Sequence, residues 1–188
     1  MFATEKKWVM KEQGDYSSVM QLSQALNTPY TLANLMVQRG ILTPADAANF
    51  FQPSLDNLHD PFLMKGMNAA VDRISSAVSR KERILVYGDY DVDGTTAVAM
   101  IYSFLREFTP EVLYYIPDRY REGYGVSFEG LDYAVANNCK LVITLDCGIK
   151  AVEKVKHAQS KGLDVIICDH HYPGEEIPRA TAVLDPKQ

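Results

Sequence analysis

From residue 66 onward, short apolar runs alternate with longer stretches whose apolar residues recur at helical spacing. The runs cover 84–88, 114–117, 141–145, 165–168 and 182–184, and each stops on an aspartate: Asp89, Asp118, Asp146, Asp169 and Asp185. Runs this short, rich in Val and Ile and separated by helical patterns, read as buried parallel strands. Ligands bind outside the carboxyl ends of the strands in an open parallel sheet. The pattern therefore aims several carboxylates at one rim.

Helices are expected over Met67–Ser79, with Ala70, Val71, Ile74, Ala77 and Val78 as the apolar face. Others are expected from Gly94 to about Glu107, from a cap at Ser127 to about Asn137, and over about 149–161 with Gly162 as the C′ residue. Strands alternating with such helices imply right-handed crossovers and a doubly wound α/β fold, with a mainly parallel five-stranded sheet. This core occupies 66–188, and 1–65 forms a small helical segment. There, Leu22, Ala25 and Leu26 share one helical face, and Leu32, Leu35, Met36 and Ile41 another. Thr43-Pro44 reads as an N-cap with proline at N1 of a helix to Phe51. Pro53 stops that helix and Asp60-Pro61 marks a turn. Residues 1–20 are expected to be a partly disordered arm. The end at Gln188, just past a strand with no closing helix, suggests a fragment of a longer protein.

The chain's 188 residues suffice for a real core, and 47% hydrophobic with 23% charged residues is ordinary for a soluble domain. No run approaches the roughly 18 apolar residues of a membrane span, and the first ten residues lack a signal-peptide core. Cys139, Cys147 and Cys168 share no close spacing and fall in or beside strands, so a reducing cytoplasm is expected. The net charge of −5 argues against broad nonspecific nucleic-acid binding and leaves local basic stretches as docking faces.

Two of the five strand ends carry more than one candidate ligand. Asp89-Tyr90-Asp91-Val92-Asp93-Gly94 resembles the start of a calcium loop, but the twelfth loop position is Met100 where a bidentate Glu is required. It reads instead as a strand-to-helix turn presenting alternate carboxylates, with Gly94 allowing the turn. Gly94-Thr95-Thr96 would then open a helix whose free N–H groups could hold a phosphate. Asp169-His170-His171 adds imidazole to the same rim. Crowded carboxylates repel unless protons or cations neutralise them, and oxygen ligands with one or two imidazoles suit Mn²⁺ or Mg²⁺, with Zn²⁺ or Co²⁺ also compatible. Asp146 could bridge two ions or merely cap the helix at Ile149. In the loop 119–125, Arg119 and Arg121 could grip phosphate and Tyr124 could stack on a base. Lys150, Lys154 and Lys156 are placed on the outer face of a helix, and His59 and His157 at the surface or in packing. Cys147 has no nucleophile–base motif around it. No Walker A or G-x-G-x-x-G motif occurs, which disfavours an NTPase or a dinucleotide enzyme.

Asp89-Tyr-Asp91-Val-Asp93-Gly94, then Asp146-Cys-Gly148, then Asp169-His170-His171 resemble the first three motifs of the DHH phosphoesterase superfamily. Asp89 in place of histidine, the run Ile116-Pro117-Asp118-Arg119 into Glu122-Gly123-Tyr124-Gly125, and the preceding helical segment are similar to its RecJ branch. The resemblance implies a 5′→3′ exonuclease on single-stranded DNA, active in repair and recombination, with two Mn²⁺ or Mg²⁺ ions. It implies that Asp89 and Asp91 bind one ion, Asp93 and His170 the other, and Asp146 bridges them, while His171 meets the scissile phosphate. Single-strand-binding protein or helicase partners are also implied. The family's fourth motif, its cleft-closing DHHA1-type domain and its OB-fold have no match here, so these residues alone are expected to show little or no activity. The alternatives are a DHH phosphatase for nanoRNA, cyclic dinucleotides or pyrophosphate, and a non-catalytic DHH scaffold in replication.

Overall fold

The computed structural model describes residues 7–188. Five strands form one all-parallel sheet: β1 (Arg83–Gly88), β2 (Val112–Tyr115), β3 (Cys139–Leu145), β4 (Asp164–Cys168) and β5 (Ala182–Leu184), in the order β2-β1-β3-β4-β5. The apolar runs are continuous because both faces of the sheet are covered. Leu85, Tyr87, Val142, Val165 and Ile167 turn to one face, against α6 (Phe128–Ala136) and α7 (Val152–Ser160). Ile84, Val86, Leu141, Ile143 and Ile166 turn to the other, against α4 (Met67–Ser79) and α5 (Val92–Arg106). Side-chain direction thus alternates with period two beneath a sequence that shows no alternation. The doubly wound sheet and all five strands agree with the sequence pattern.

The chain runs outward from β1 in both directions, so the topological switch point lies between β1 and β3, where open α/β sheets bind ligands. Register then sets the site. Gly88 pairs with Leu145, and Leu145 with Cys168. The next residue of each strand, Asp89, Asp146 and Asp169, therefore leaves the sheet at the same level.

Two helix starts differ from expectation. α5 begins at Val92 with Asp91 as its cap, so Gly94 lies inside the first turn. It is glycine for a packing reason and not for a turn: a Cβ there would fall 2.4 Å from the Asp89 carbonyl oxygen. α7 begins at Val152 with Ala151 at its N-cap, so Asp146 caps nothing and its carboxylate stays available. Ser127 caps α6 as expected, accepting the Gly130 N–H.

The chain divides into two compact units, one ending at His59 and one covering Asp60–Gln188, against the expected division at 65/66. In the first, α1 (Tyr16–Leu26) and α2 (Tyr30–Val37) pack Val19, Leu22 and Ala33 together. Ala33 and Met36 face inward, whereas Leu32 and Leu35 are exposed, since the α2 axis presents its small residue to α1. α3 (Pro44–Phe51) opens on Thr43, whose side chain and that of Asp46 form a reciprocal capping box. Residues 11–20 are not a loose arm. Lys11 donates to the Gln38 carbonyl, Gln38 to that of Glu12, and the Gly14 N–H to Asn34 Oδ1, before Asp15 caps α1. The expectation for residues 1–6 lies outside the described residues.

Candidate metal centre

At the switch point, Asp146, His170 and His171 each bring a ligand atom within 4.8 Å of the others. Asp146 sits in the left-handed region at φ 61°, a conformation unfavourable for a residue with a Cβ and one often kept at functional sites. Its Oδ1 lies 2.9 Å from His170 Nε2. Burial, and then the charge of Asp91 alongside, push the Asp146 carboxyl above its ordinary range. Asp91 is held below that range, chiefly by the Gly94 N–H on its Oδ1 at 3.0 Å. One carboxyl is thus driven toward accepting a proton beside another that resists it. A cation between them would relieve this repulsion.

Asp93, Asp146 and His170 line one open cavity of about 410 Å³. Asp89 lies deeper and is fully buried. Its Oδ1 accepts the Gly125 N–H at 3.2 Å, and its Oδ2 has no partner. A buried carboxylate oxygen without a donor is costly, and a cation beside it would supply what it lacks; Asp185 Oδ2 is buried and unpartnered in the same way. Of the expected ligands, Asp146 and His170 come within ligand distance of one another, with His171 as the third member, and Asp89, Asp91 and Asp93 are not in that group; carboxylate oxygens beside an imidazole suit Mn²⁺ or Mg²⁺ on ligand chemistry.

His171 is held by a residue to which the sequence pattern assigned no role. Asp169, buried at the end of β4, accepts His171 Nδ1–H at 2.7 Å and the N–H groups of His170 and His171 on Oδ1. Its Oδ2 accepts the Ile149 N–H at 2.9 Å. Burial pushes this carboxyl up, but the Ile149 N–H and the His171 and His170 donors outweigh it and hold it below its ordinary range. The third side of the ring meets Tyr124, whose hydroxyl is 3.0 Å from His171 Nε2. Burial, and then the charges of Asp89, Asp146 and Asp169, push that hydroxyl up to about 12. It therefore stays protonated and donates to Nε2, which fixes the His171 proton on Nδ1. A direct partner for His171 is a role for Tyr124 that its loop position did not signal.

Asp169→Asn is expected to lower stability by about 3 kcal/mol, because an amide turns an N–H toward donors the carboxylate satisfied. The sign with pH follows from the lowered pKa. Asp169 contributes stability above about pH 4 and loses it only as pH falls through its depressed value. Thermal melts at pH 7 and pH 3 check this; equal melting of both proteins at pH 7 would remove the clamp.

The remaining rim residues differ from the pattern. Asp118 takes up the N–H groups of Tyr120 and Arg121 within its own loop, and Asp185 that of Lys187; neither joins the cluster. Thr95 Oγ1 and N–H both donate to the Asp91 carbonyl, and the Gly94 N–H to its carboxylate. The expected phosphate seat at Gly94-Thr95-Thr96 is thereby already filled by the chain, because α5 starts earlier. Arg119 stacks over the Tyr90 ring at 5.1 Å, and Tyr90 meets Tyr124 edge-on at 6.4 Å, while Arg121 is exposed. Lys156 pairs with Glu153, while half-buried Lys154 and exposed Lys150 border a cavity beside His171. Cys147 is buried, and its thiol is pushed well up by that burial, which makes it a packing residue. No described helix is long and apolar enough to cross a membrane.

Residues 83–188 match the DHH family, N-terminal domain. The chain belongs to the DHH family. It is 40% identical over 188 residues to the single-stranded-DNA-specific exonuclease RecJ of Bacillus subtilis (strain 168), a match covering all of this chain and 24% of that protein. A crystal structure of exonuclease RecJ bound to manganese superposes with a TM-score of 0.63 at 33% identity, over 69% of this chain and 33% of that one. RecJ of Thermus thermophilus in complex with Mn²⁺ superposes at 0.69 and 26% identity, over 92% and 24%. This DHH chain thus spans about a quarter of the length of the curated relative.

Proposed function

We propose that this chain carries the metal centre of a metal-dependent 5′→3′ exonuclease that degrades single-stranded DNA in repair and recombination. The observation that carries the reading is the convergence of Asp146, His170 and His171 on one space, in a chain 40% identical to a RecJ exonuclease. Asp89, Asp91, Asp93, Asp146 and His170 hold Mn²⁺ or Mg²⁺, the ions supplying Lewis acidity to the phosphodiester when bound. Asp169 orients His171 toward the scissile phosphate, to which a protonated Nε2–H would donate in place of its contact with Tyr124. Arg119, with Arg121 and the Tyr90–Tyr124 pair, guides a single strand whose bases can stack. Retention of every carboxylate and imidazole in the three motifs disfavours a scaffold without activity.

The test uses the full-length protein with 5′-labelled single-stranded DNA, duplex DNA and short RNA, each with and without Mn²⁺. Metal-dependent loss of the single strand from its 5′ end is expected. Preference for short RNA would favour a DHH phosphatase, and metal-independent inertness a scaffold. His170→Ala should lose Mn²⁺ affinity together with activity. His171→Ala should keep the metal and lose turnover by about 10²–10⁴-fold, the usual span for a group that assists proton movement. If His171→Ala lost the metal and His170→Ala retained it, the two roles would be exchanged.

A further inference from the structure

The loop 116–127 joins β2 to α6, and near its tip the Gly125 N–H reaches Asp89 Oδ1 at 3.2 Å. Gly125 stands at φ 80° and makes this contact from a turn that local sequence alone does not hold in place. The hold lies at the base of the loop, on Glu122, a half-buried carboxylate outside the metal centre. Glu122 Oε1 accepts the Asp118 N–H at 2.8 Å. Its Oε2 accepts the Tyr115 hydroxyl at 3.0 Å and the Ser127 hydroxyl at 2.5 Å. One side chain thus ties the two ends of the loop to each other and to β2. Burial would raise its carboxyl, but the Ser127, Asp118 and Tyr115 donors outweigh burial and hold it below its ordinary range. These are charge-assisted hydrogen bonds, stronger than those between neutral groups.

Ser127 carries the hold onward. Its N–H donates to the buried Tyr87 hydroxyl at 3.0 Å, and that hydroxyl donates to the Gly125 carbonyl at 2.9 Å. Gly125 is therefore pinned through both backbone groups to the end of β1, by its carbonyl to Tyr87 and by its N–H to Asp89. A donor kept on Asp89 Oδ1 leaves Oδ2, which is buried and unpartnered, as the oxygen free for a cation. We propose that Glu122 is a positioning residue for the metal centre: by anchoring both ends of the loop it keeps the Gly125 N–H on Asp89 and so fixes which carboxylate oxygen is presented. The inference rests on the reading of Asp89 as a ligand.

The test compares the full-length protein with Glu122→Gln, which keeps the side chain's shape and replaces one acceptor by an amide N–H₂. Arg83→Ala is the control for a general loss of stability, since Arg83 pairs with Glu111 at the opposite end of β1 from Asp89. In metal-free protein, hydrogen exchange at the Gly125 amide is expected to speed up by about tenfold in Glu122→Gln and to stay within about twofold in Arg83→Ala. Calorimetric Mn²⁺ affinity should fall by about tenfold in Glu122→Gln, the low end for losing an outer-shell partner, and stay at the parent value in Arg83→Ala. In an Asp89→Asn background, Glu122→Gln should change the remaining affinity by less than about twofold, because it acts through Asp89. Unchanged exchange at Gly125 would overturn the proposal. So would faster exchange with parental Mn²⁺ affinity, which would make Glu122 a loop anchor only. A loss of affinity that Arg83→Ala shares, or that persists in full without Asp89, would overturn it as well. If Asp89→Asn alone binds Mn²⁺ as the parent does, the reading of Asp89 as a ligand fails, and exchange at Gly125 alone then decides whether Glu122 holds the loop on Asp89.

Discussion

Asp146→Ala is expected to reduce Mn²⁺ affinity by at least about 100-fold, beyond the roughly 10–100-fold that losing an outer-shell partner costs. Asp146 stands beside several members of the centre. It meets His170 at 2.9 Å, lies against Asp91, and shares a cavity with Asp93. Alanine also carries a backbone cost of about 1–2 kcal/mol at a left-handed position; φ at Asp146 is 61°. Asp146→Gly separates the two effects. Glycine accepts that φ without strain but offers no ligand, so it should lose the metal as alanine does while melting no lower than the parent. Calorimetric titration beside thermal melts reads both. Wild-type Mn²⁺ affinity in either variant would remove Asp146 from the centre. Lost affinity in alanine alone would show that backbone geometry, not the carboxylate, holds the ion.

The second large effect lies one layer below the ligands. Gly94→Ala is expected to destabilise the fold by about 3 kcal/mol, the upper part of the range for overpacking, and to lower Tm by roughly 10 °C. The added Cβ would stand 2.4 Å from the Asp89 carbonyl oxygen, 2.7 Å from its nitrogen and 2.8 Å from its carbonyl carbon. All three are backbone atoms, so no rotamer change can make room. α5 must move off β1, and Asp91 and Asp93 move with it, so Mn²⁺ binding should weaken too. Gly174→Ala is the control. Its nearest neighbours would be 3.8 Å away, and a change within about 0.5 kcal/mol is expected. Equal melting of the two variants would mean that the close approach of α5 to Asp89 is dispensable.

The sequence by itself determined the layered α/β core. Runs such as 141–145 and 165–168 are too short and too rich in β-branched residues to be helices, and helical periodicity between them requires crossovers. It also marked the strand ends that bring carboxylates and imidazoles to one rim, because ligands in such a sheet lie at the carboxyl ends of strands and few residue types bind cations. Capping residues with local signatures, Thr43 and Ser127, were legible for the same reason: the partner N–H is three residues away. Tertiary structure decided everything that depends on distant neighbours. Register at Gly88, Leu145 and Cys168 chose which aspartates meet, and left Asp118 and Asp185 to their own loops. Asp169 became a clamp because Ile149, twenty residues earlier, turns its N–H toward it. Tyr124 reached His171 across 47 residues, and half-buried Lys154 came to line a cavity where helical spacing predicts a solvated face. Local pattern reports which backbone a residue prefers and whether it is buried. Which side chains share a hydrogen bond is set by the packing of strands and loops far apart in the chain, and a single sequence holds no direct record of that.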